Sequence, residues 1–273
     1  MKIIILHLIT LKNYHNIKKD WFFGYLSYDL KNEVENLKSQ NHDAFGVNNL
    51  LFFQPEYVLL LKDNQLEIQT FQSKYDCDKF VTAFSFEKLE GEPPTVNFNQ
   101  RDTKESYIEK IENIKSHIQK GDIYEMNYCQ EFYAEDTPLN PLVTFLSLNQ
   151  YSRAPFSAFY RLGKKYALCA SPERYLRKKG DNLLSEPIKG TAKRLPDPQA
   201  DIKHRLQFIN DEKERRENIM VTDLVRNDLS KVAAKGSVAV TAFCACRTYA
   251  HVHQLVSSVA CTLKTDTTVV QAL

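Results

Sequence analysis

Glu173 and Lys189 are the two residues whose types and neighbours first suggest chemistry. Glu173 follows a proline in SPERY, and Lys189 precedes a glycine in EPIKGT. Between them the chain reads strand, turn, strand. Arg174, Tyr175 and Leu176 are strand-like, Lys179-Gly180-Asp181-Asn182 is a turn cluster, and Leu183-Leu184 resumes the strand. A hairpin there brings its two ends together, so that a carboxylate and an amine share one pocket. Pro187 and Gly190 interrupt a regular strand around Lys189, which the backbone then holds in place. The same residues also fit a surface hairpin carrying a surface lysine. A second pair of acids lies in ERRENIMV. Glu217 stands four residues before Val221, on the stripe formed by Met220, Val221, Leu224 and Val225, and Glu214 is one turn earlier on nearly the same face. A carboxylate on an apolar face is paired or metal-bound. Glu217 therefore either joins Arg174, Arg215 or Arg226, or holds a cation.

These residues must be placed by regular elements. The spacing predicts a helix over 210–227 beneath the two acids. A second helix is predicted from Asp102, with Asp102 and Glu105 as a capping box, isoleucines at 108, 111, 114 and 118, and Gly121 as its stop. Residues 121–134 read as one long strand, 141–150 as a helix, and 156–162, 166–170 and 174–177 as successive strands. Earlier, 3–9 reads as a strand and 21–30 as a buried strand entering a helix near 29–37. Apolar runs occupy 45–53 and 57–61, the second read as a core strand that turns at Asp63-Asn64 into a hairpin. A short helix is expected over 76–86. Gly91-Glu92-Pro93-Pro94 reads as a linker, dividing an N-terminal subdomain, 1–95, from a catalytic domain, 102–273. Residues 236–243 and 248–259 read as strand, turn and the start of a helix. An antiparallel-rich sheet with helices outside is an α+β fold.

With 273 residues, 43% hydrophobic and 26% charged, the chain can bury a sizeable core. A net charge of +2 with interspersed signs gives no argument for nucleic acid or a membrane surface. Six scattered cysteines without a C-x-x-C pair argue against zinc and suit a reducing cytosol. The apolar start is short, interrupted by His7 and Thr10, and lacks a small-residue cleavage site.

SPERY and EPIKGTAKR, together with GDIYEMNYCQEF (121–132), ERRENIMVTDLVRNDLSKVA (214–233) and GSVAVTAF…HVHQLVSSV (236–259), resemble the chorismate-utilising enzymes. These include anthranilate, aminodeoxychorismate, isochorismate and salicylate synthases. Lysine in PIKGT resembles the aminodeoxychorismate branch, because anthranilate synthases usually carry alanine there. The resemblance implies two facing, largely antiparallel sheets with helices outside and the active site between. It implies chorismate as substrate, Mg2+ as cofactor, and ammonia from a glutamine amidotransferase partner. By the same resemblance Glu173 is the general acid/base and must carry a proton when the ring hydroxyl leaves. Lys189 is the nucleophile and must shed its own. Glu217 takes the place of a magnesium ligand with Glu214 as its outer-shell partner. Gly190 and Thr191 belong to the substrate-binding motif. Glu125 stands where isochorismate and salicylate synthases carry a water-activating lysine, which argues against water as first nucleophile. Gln254 stands where anthranilate synthases carry histidine, and its neighbour His253 reads as a core or surface histidine. The family's later glycine-rich segment, carboxylate-binding arginine and further magnesium-ligand glutamate are not in this sequence. The expectation is therefore a fold incomplete at its C-terminus, with exposed apolar surface, weak magnesium binding and no turnover by this chain alone. The competing expectations are anthranilate synthase component I and a non-catalytic remnant that at most binds a ligand or the amidotransferase.

Overall fold

The structure is a computed structural model that describes residues 2–4, 8–18, 20–84 and 91–273. Its contacts group Met1–Lys88 with Ser152–Leu273 in one compact unit and Leu89–Tyr151 in another.

The first unit opens with β1 (Lys2–Ile4), α1 (Leu8–Lys18) and β2 (Phe23–Leu26), then α2 (Lys31–Val34) and β3 (Leu50–Gln54). β3 lies between β1 and β2, and both pairings are antiparallel. The strand expected over 3–9 is thus confined to β1; residues 5–7 are outside the described residues, and a helix runs from Leu8. β2 is not buried, for Phe23 and Leu26 are exposed. β4 (Tyr57–Lys62) and β5 (Gln65–Thr70) form the expected hairpin. Asp63 and Asn64 both adopt positive φ, +50° and +60°, as a two-residue hairpin turn requires. β4 is nonetheless no core strand: it buries Val58, while Leu61 is 77% exposed. α3 (Lys74–Thr82) starts at Ser73, whose side chain accepts from the Asp76 N–H; residues 85–86 of the expected helix are outside the described residues.

In the second unit β6 (Asn99–Gln100) precedes α4 (Lys104–Lys120). α4 ends on Gly121 at φ +79°, the left-handed closure that favours glycine. Its N-cap is Thr103 rather than Asp102. The Asp102 carboxylate is instead taken by Lys110 and Tyr128, so no capping box forms. The long strand expected over 121–134 shrinks to β7 (Phe132–Tyr133), because only those residues find a ladder partner, in β6. α5 (Pro141–Ser152) follows as expected.

The chain then returns to the first unit with the hairpin β8 (Phe156–Leu162) and β9 (Lys165–Ser171). β10 (Arg174–Lys179), β11 (Asn182–Glu186) and β12 (Ile188–Lys193) come next. They are followed by α6 (Pro198–Ile209), α7 (Glu212–Val232), β13 (Ala239–Thr248), β14 (Val252–Thr262) and the short α8 (Val269–Ala272). β14 is the axis of a five-stranded sheet: β13 runs along one edge, β11 and then β12 along the other, and β10 pairs β11 outside. No helix starts within 248–259, since β14 has ladder partners on both sides. Leu255, Val256 and Val259 are sealed from solvent. α7 packs across β12, β13 and β14. Leu183, Leu229, Ala233, Val259, Cys261 and Leu263 form the core beneath it. Leu224, expected on the apolar stripe, is exposed; the buried face of α7 carries Asn218, Thr222 and Leu229.

The fold is thus α+β, and every strand pairing among the described residues is antiparallel. Among the described residues no helix is long and apolar enough to cross a membrane. The six cysteines are free thiols, and burial pushes those of Cys244, Cys246 and Cys261 up.

Candidate active site

The β10–β11 hairpin brings Glu173 to the start of β12. A Glu173 carboxylate oxygen accepts the Ile188 N–H at 2.9 Å, so the acid is tied to the residue preceding Lys189. The pairing of β12 with β14 breaks at the same place. Ile188 is opposite Val256 and Thr191 opposite Gln254, leaving Lys189 and Gly190 to face Leu255 alone. This is a one-residue β-bulge, a device that re-aims a side chain. Gly190 supplies its backbone: φ is +90°, and a Cβ there would lie 3.0 Å from Glu214 Oε2 and 3.4 Å from Glu214 Cβ. Glycine therefore lets the first turn of α7 close onto the bulge and places the Glu214 carboxylate beside it.

Glu217 follows one turn later. It pairs with none of the three arginines considered from the sequence: Arg174 binds Glu186, Arg215 the Ile209 carbonyl, and Arg226 pairs with Asp223. Its partner is Lys213, whose ammonium lies 3.3 Å from Glu217 Oε1 and 3.7 Å from Glu214 Oε1. The two acids thus already share one cation, with side chains 24% and 36% exposed. No set of three or more His, Cys, Asp or Glu side chains suited to a metal occurs among the described residues. The two oxygen donors fit a hard ion such as Mg2+, which typically takes one or two carboxylates and fills its sphere with water and substrate oxygens.

Opposite the bulge, the Gln254 amide donates to Thr191 Oγ1 at 3.3 Å. Gln254 Oε1 is buried and has no hydrogen-bond partner among the described residues, an acceptor left for a donor from outside the sheet. Glu125 is a half-buried residue of the second unit, in a stretch without regular structure.

His253, adjacent to Gln254, is a core residue, 1% exposed. It contacts Asp201 Oδ1 through Nε2 at 3.0 Å and Thr248 Oγ1 through Nδ1 at 2.9 Å. The Leu195 N–H, His253 and Arg194 all bind Asp201 and hold its carboxyl down to about 2 against the opposing effect of desolvation. The cluster fastens the N-terminal turn of α6 to the ends of β12 and β14. A second buried acid escaped the sequence reading. Glu186 sits between Arg174, at 2.7 Å, and Arg247, and also accepts from Ser258. Burial works to raise it, but the two guanidiniums outweigh that and hold it below the usual carboxylate range. Asn218, also unmarked in the sequence reading, is 1% exposed beneath the bulge. Its signal was the helical spacing of Asn218 and Thr222, two polar residues on one face of α7.

The chain matches the family described as chorismate binding enzyme over residues 5–273. It is 34% identical over 239 residues to aminodeoxychorismate synthase component 1 of Escherichia coli (strain K12), a match covering 86% of this chain and 52% of that protein. To anthranilate synthase component 1 of Thermus thermophilus it is 30% identical over 247 residues, covering 86% and 53%. The chain thus spans about half the length of these curated relatives. The crystal structure of anthranilate synthase component I from Streptococcus pneumoniae TIGR4 shares its fold, with a TM-score of 0.77 at 24% identity over 92% of this chain and 59% of that one. Family match and fold agree: this chain belongs to the chorismate binding enzyme family.

Proposed function

We propose that the chain is the chorismate-binding part of an aminodeoxychorismate synthase component 1. In this reading it works in the cytoplasm, converting chorismate and ammonia, the latter supplied by a glutamine amidotransferase partner, into 4-amino-4-deoxychorismate. The observation that carries the reading is the placement of Lys189 in a bulge between two acids, with Glu173 on the preceding amide and Glu214 against the following glycine. The family relationship supports it, as does the 34% identity to the Escherichia coli aminodeoxychorismate synthase component against 30% to the Thermus thermophilus anthranilate synthase component.

In this reading the Lys189 amine, once deprotonated, forms a C–N bond to the ring, and the allylic hydroxyl departs as water with a proton from Glu173. Ammonia then attacks the carbon that carried the hydroxyl, and the C–N bond to Lys189 breaks with its electron pair returning to the lysine. The amine is held against the ring, so the first step is effectively unimolecular, an advantage of several kcal/mol. Lys189 occupies the position from which ammonia would otherwise attack, so the product is para- rather than ortho-substituted. Glu217 and Glu214 would hold Mg2+, displacing Lys213, and the ion when bound neutralises a substrate carboxylate. Gly190, Thr191 and Gln254 complete the substrate surface, with Gln254 Oε1 as an acceptor. Every residue named lies within 102–273, the proposed catalytic part.

The test compares wild type with Lys189→Ala, supplied with chorismate, ammonium and magnesium. It is run on this chain and on a version extended by the C-terminal part of the E. coli relative. The substitution is expected to shift product toward the ortho-aminated series. Unchanged para-product from Lys189→Ala contradicts the assignment.

A further inference from the structure

We propose that Asn218 is the positioning residue for Lys189: its buried side-chain amide holds open the bulge that presents the lysine. The inference rests on the reading of Lys189 as nucleophile. A bulge removes ladder partners, and buried carbonyls must find others. The two carbonyls at this break are those of Lys189 and Leu255, on facing strands. Asn218 Nδ2 donates to both, at 3.2 Å and 2.9 Å. Its two N–H groups are thereby used, one on each strand.

The orientation of the amide is fixed from the other side. Ser257 Oγ accepts the Cys244 N–H at 3.0 Å, so its own hydrogen is free to go to Asn218 Oδ1, 2.5 Å away. The Cys244 thiol and the Thr222 hydroxyl approach the same oxygen at 3.5 and 3.4 Å. A flipped amide would set its oxygen against two carbonyls, which nothing could offset. Cys244 itself lies in a second register break, in β13, where it adopts φ +47°. One side chain therefore joins the irregularities on both flanks of β14. It rises from the helix that also carries Glu214 and Glu217, so the acids and the lysine share one rigid mount. No isosteric residue replaces it. Aspartate has no N–H to offer the carbonyls, and leucine has no polar atom to offer them.

The experiment measures how fast a small acetylating reagent labels Lys189 relative to Lys193, an exposed lysine on the same strand, by peptide mass spectrometry. The variants are Asn218→Asp, which removes both donated bonds, and Ser257→Ala, which keeps them but removes the hydroxyl that donates to Oδ1 and accepts the Cys244 N–H. Leu229→Ala, a core truncation on the same helix away from the bulge, controls for lost stability. The Lys189 to Lys193 ratio is expected to change by about tenfold in Asn218→Asp, since small misplacements of a reacting group are costly. It should change by a smaller factor in Ser257→Ala and stay constant in Leu229→Ala. Should Asn218→Asp not fold, Ser257→Ala decides. A wild-type ratio in whichever variant is folded, or an equal change in Leu229→Ala, overturns the proposal. Chorismate is absent from this measurement, so its failure leaves the nucleophile reading intact. Conversely, loss of that reading in the product assay leaves the labelling result standing.

Discussion

The five-stranded sheet around β14 and the N-terminal strands β2 to β5 invert the usual association of apolar with buried. Around β14 the buried set includes Ser185, Glu186, Asn218, Thr222, His253, Ser257 and Ser258 beside the aliphatic core. Each of these polar side chains has a hydrogen-bond partner. In the N-terminal strands Phe23, Leu26, Leu61 and Leu66 are exposed, as are Trp21 and Phe71 flanking them, and the buried residues are few: Leu50, Leu51 and Val58. Satisfied polar groups in a dry interior specify one geometry, because each unmet partner is costly. Exposed aromatics fix little and mark surface suited to covering by other groups. Lys189, Gly190 and Thr191 lie on β12 of the sheet with the buried, paired polar groups, while Glu173, at its edge, is exposed.

The contrast can be broken by substitution. The largest effect is expected from Leu183→Ala, which empties a core position 1% exposed and should cost about 3 kcal/mol in urea unfolding. A loss below about 1 kcal/mol would mean that the sheet is no better packed than a surface hairpin. Next comes Glu186→Ala, which leaves two arginines facing each other. Full burial would put such a loss near 3–5 kcal/mol, and the partial exposure of both guanidiniums reduces it to about 2 kcal/mol. Acid sharpens the comparison further. The folded Asp201 carboxyl is held at about 2, against an ordinary 3.8, so its stabilisation is present above about pH 4 and lost as pH falls toward 2. Melting temperature measured across that window should fall for wild type, and less steeply for Asp201→Asn. Parallel slopes would remove Asp201 from the account. The smallest effect is expected from Leu61→Ala in β4, within about 0.5 kcal/mol of wild type.

Much of the sheet was legible because its signals are local. Gly180 and Asp181 closed the β10–β11 turn, Asp63-Asn64 the β4–β5 turn, and Gly121 ended α4. The hairpin argument also brought Glu173 to the start of β12, beside Lys189. The failures share a cause in partners distant along the chain. β14 read as a helix start because nothing within it announces ladders to β11, β12 and β13. The stretch 121–131 has strand-forming residues, yet among the described residues only β7 pairs. Asp102 looked like a cap until Lys110 and Tyr128 claimed it. Asn218 and Glu186 passed unmarked because a polar residue at an interior position is interpretable only once its partners are known.

The most direct test of the central claim is intact-mass spectrometry with Lys189→Arg, in the presence of chorismate and magnesium, followed by addition of ammonium and product analysis. Arginine keeps the positive charge but is a poor nucleophile. Wild type should accumulate a covalent adduct of chorismate less water, mapped to Lys189. The arginine variant should show no adduct and lose para-product. Full para-product formation by Lys189→Arg would contradict covalent catalysis and leave Lys189 as a counter-charge for a substrate carboxylate.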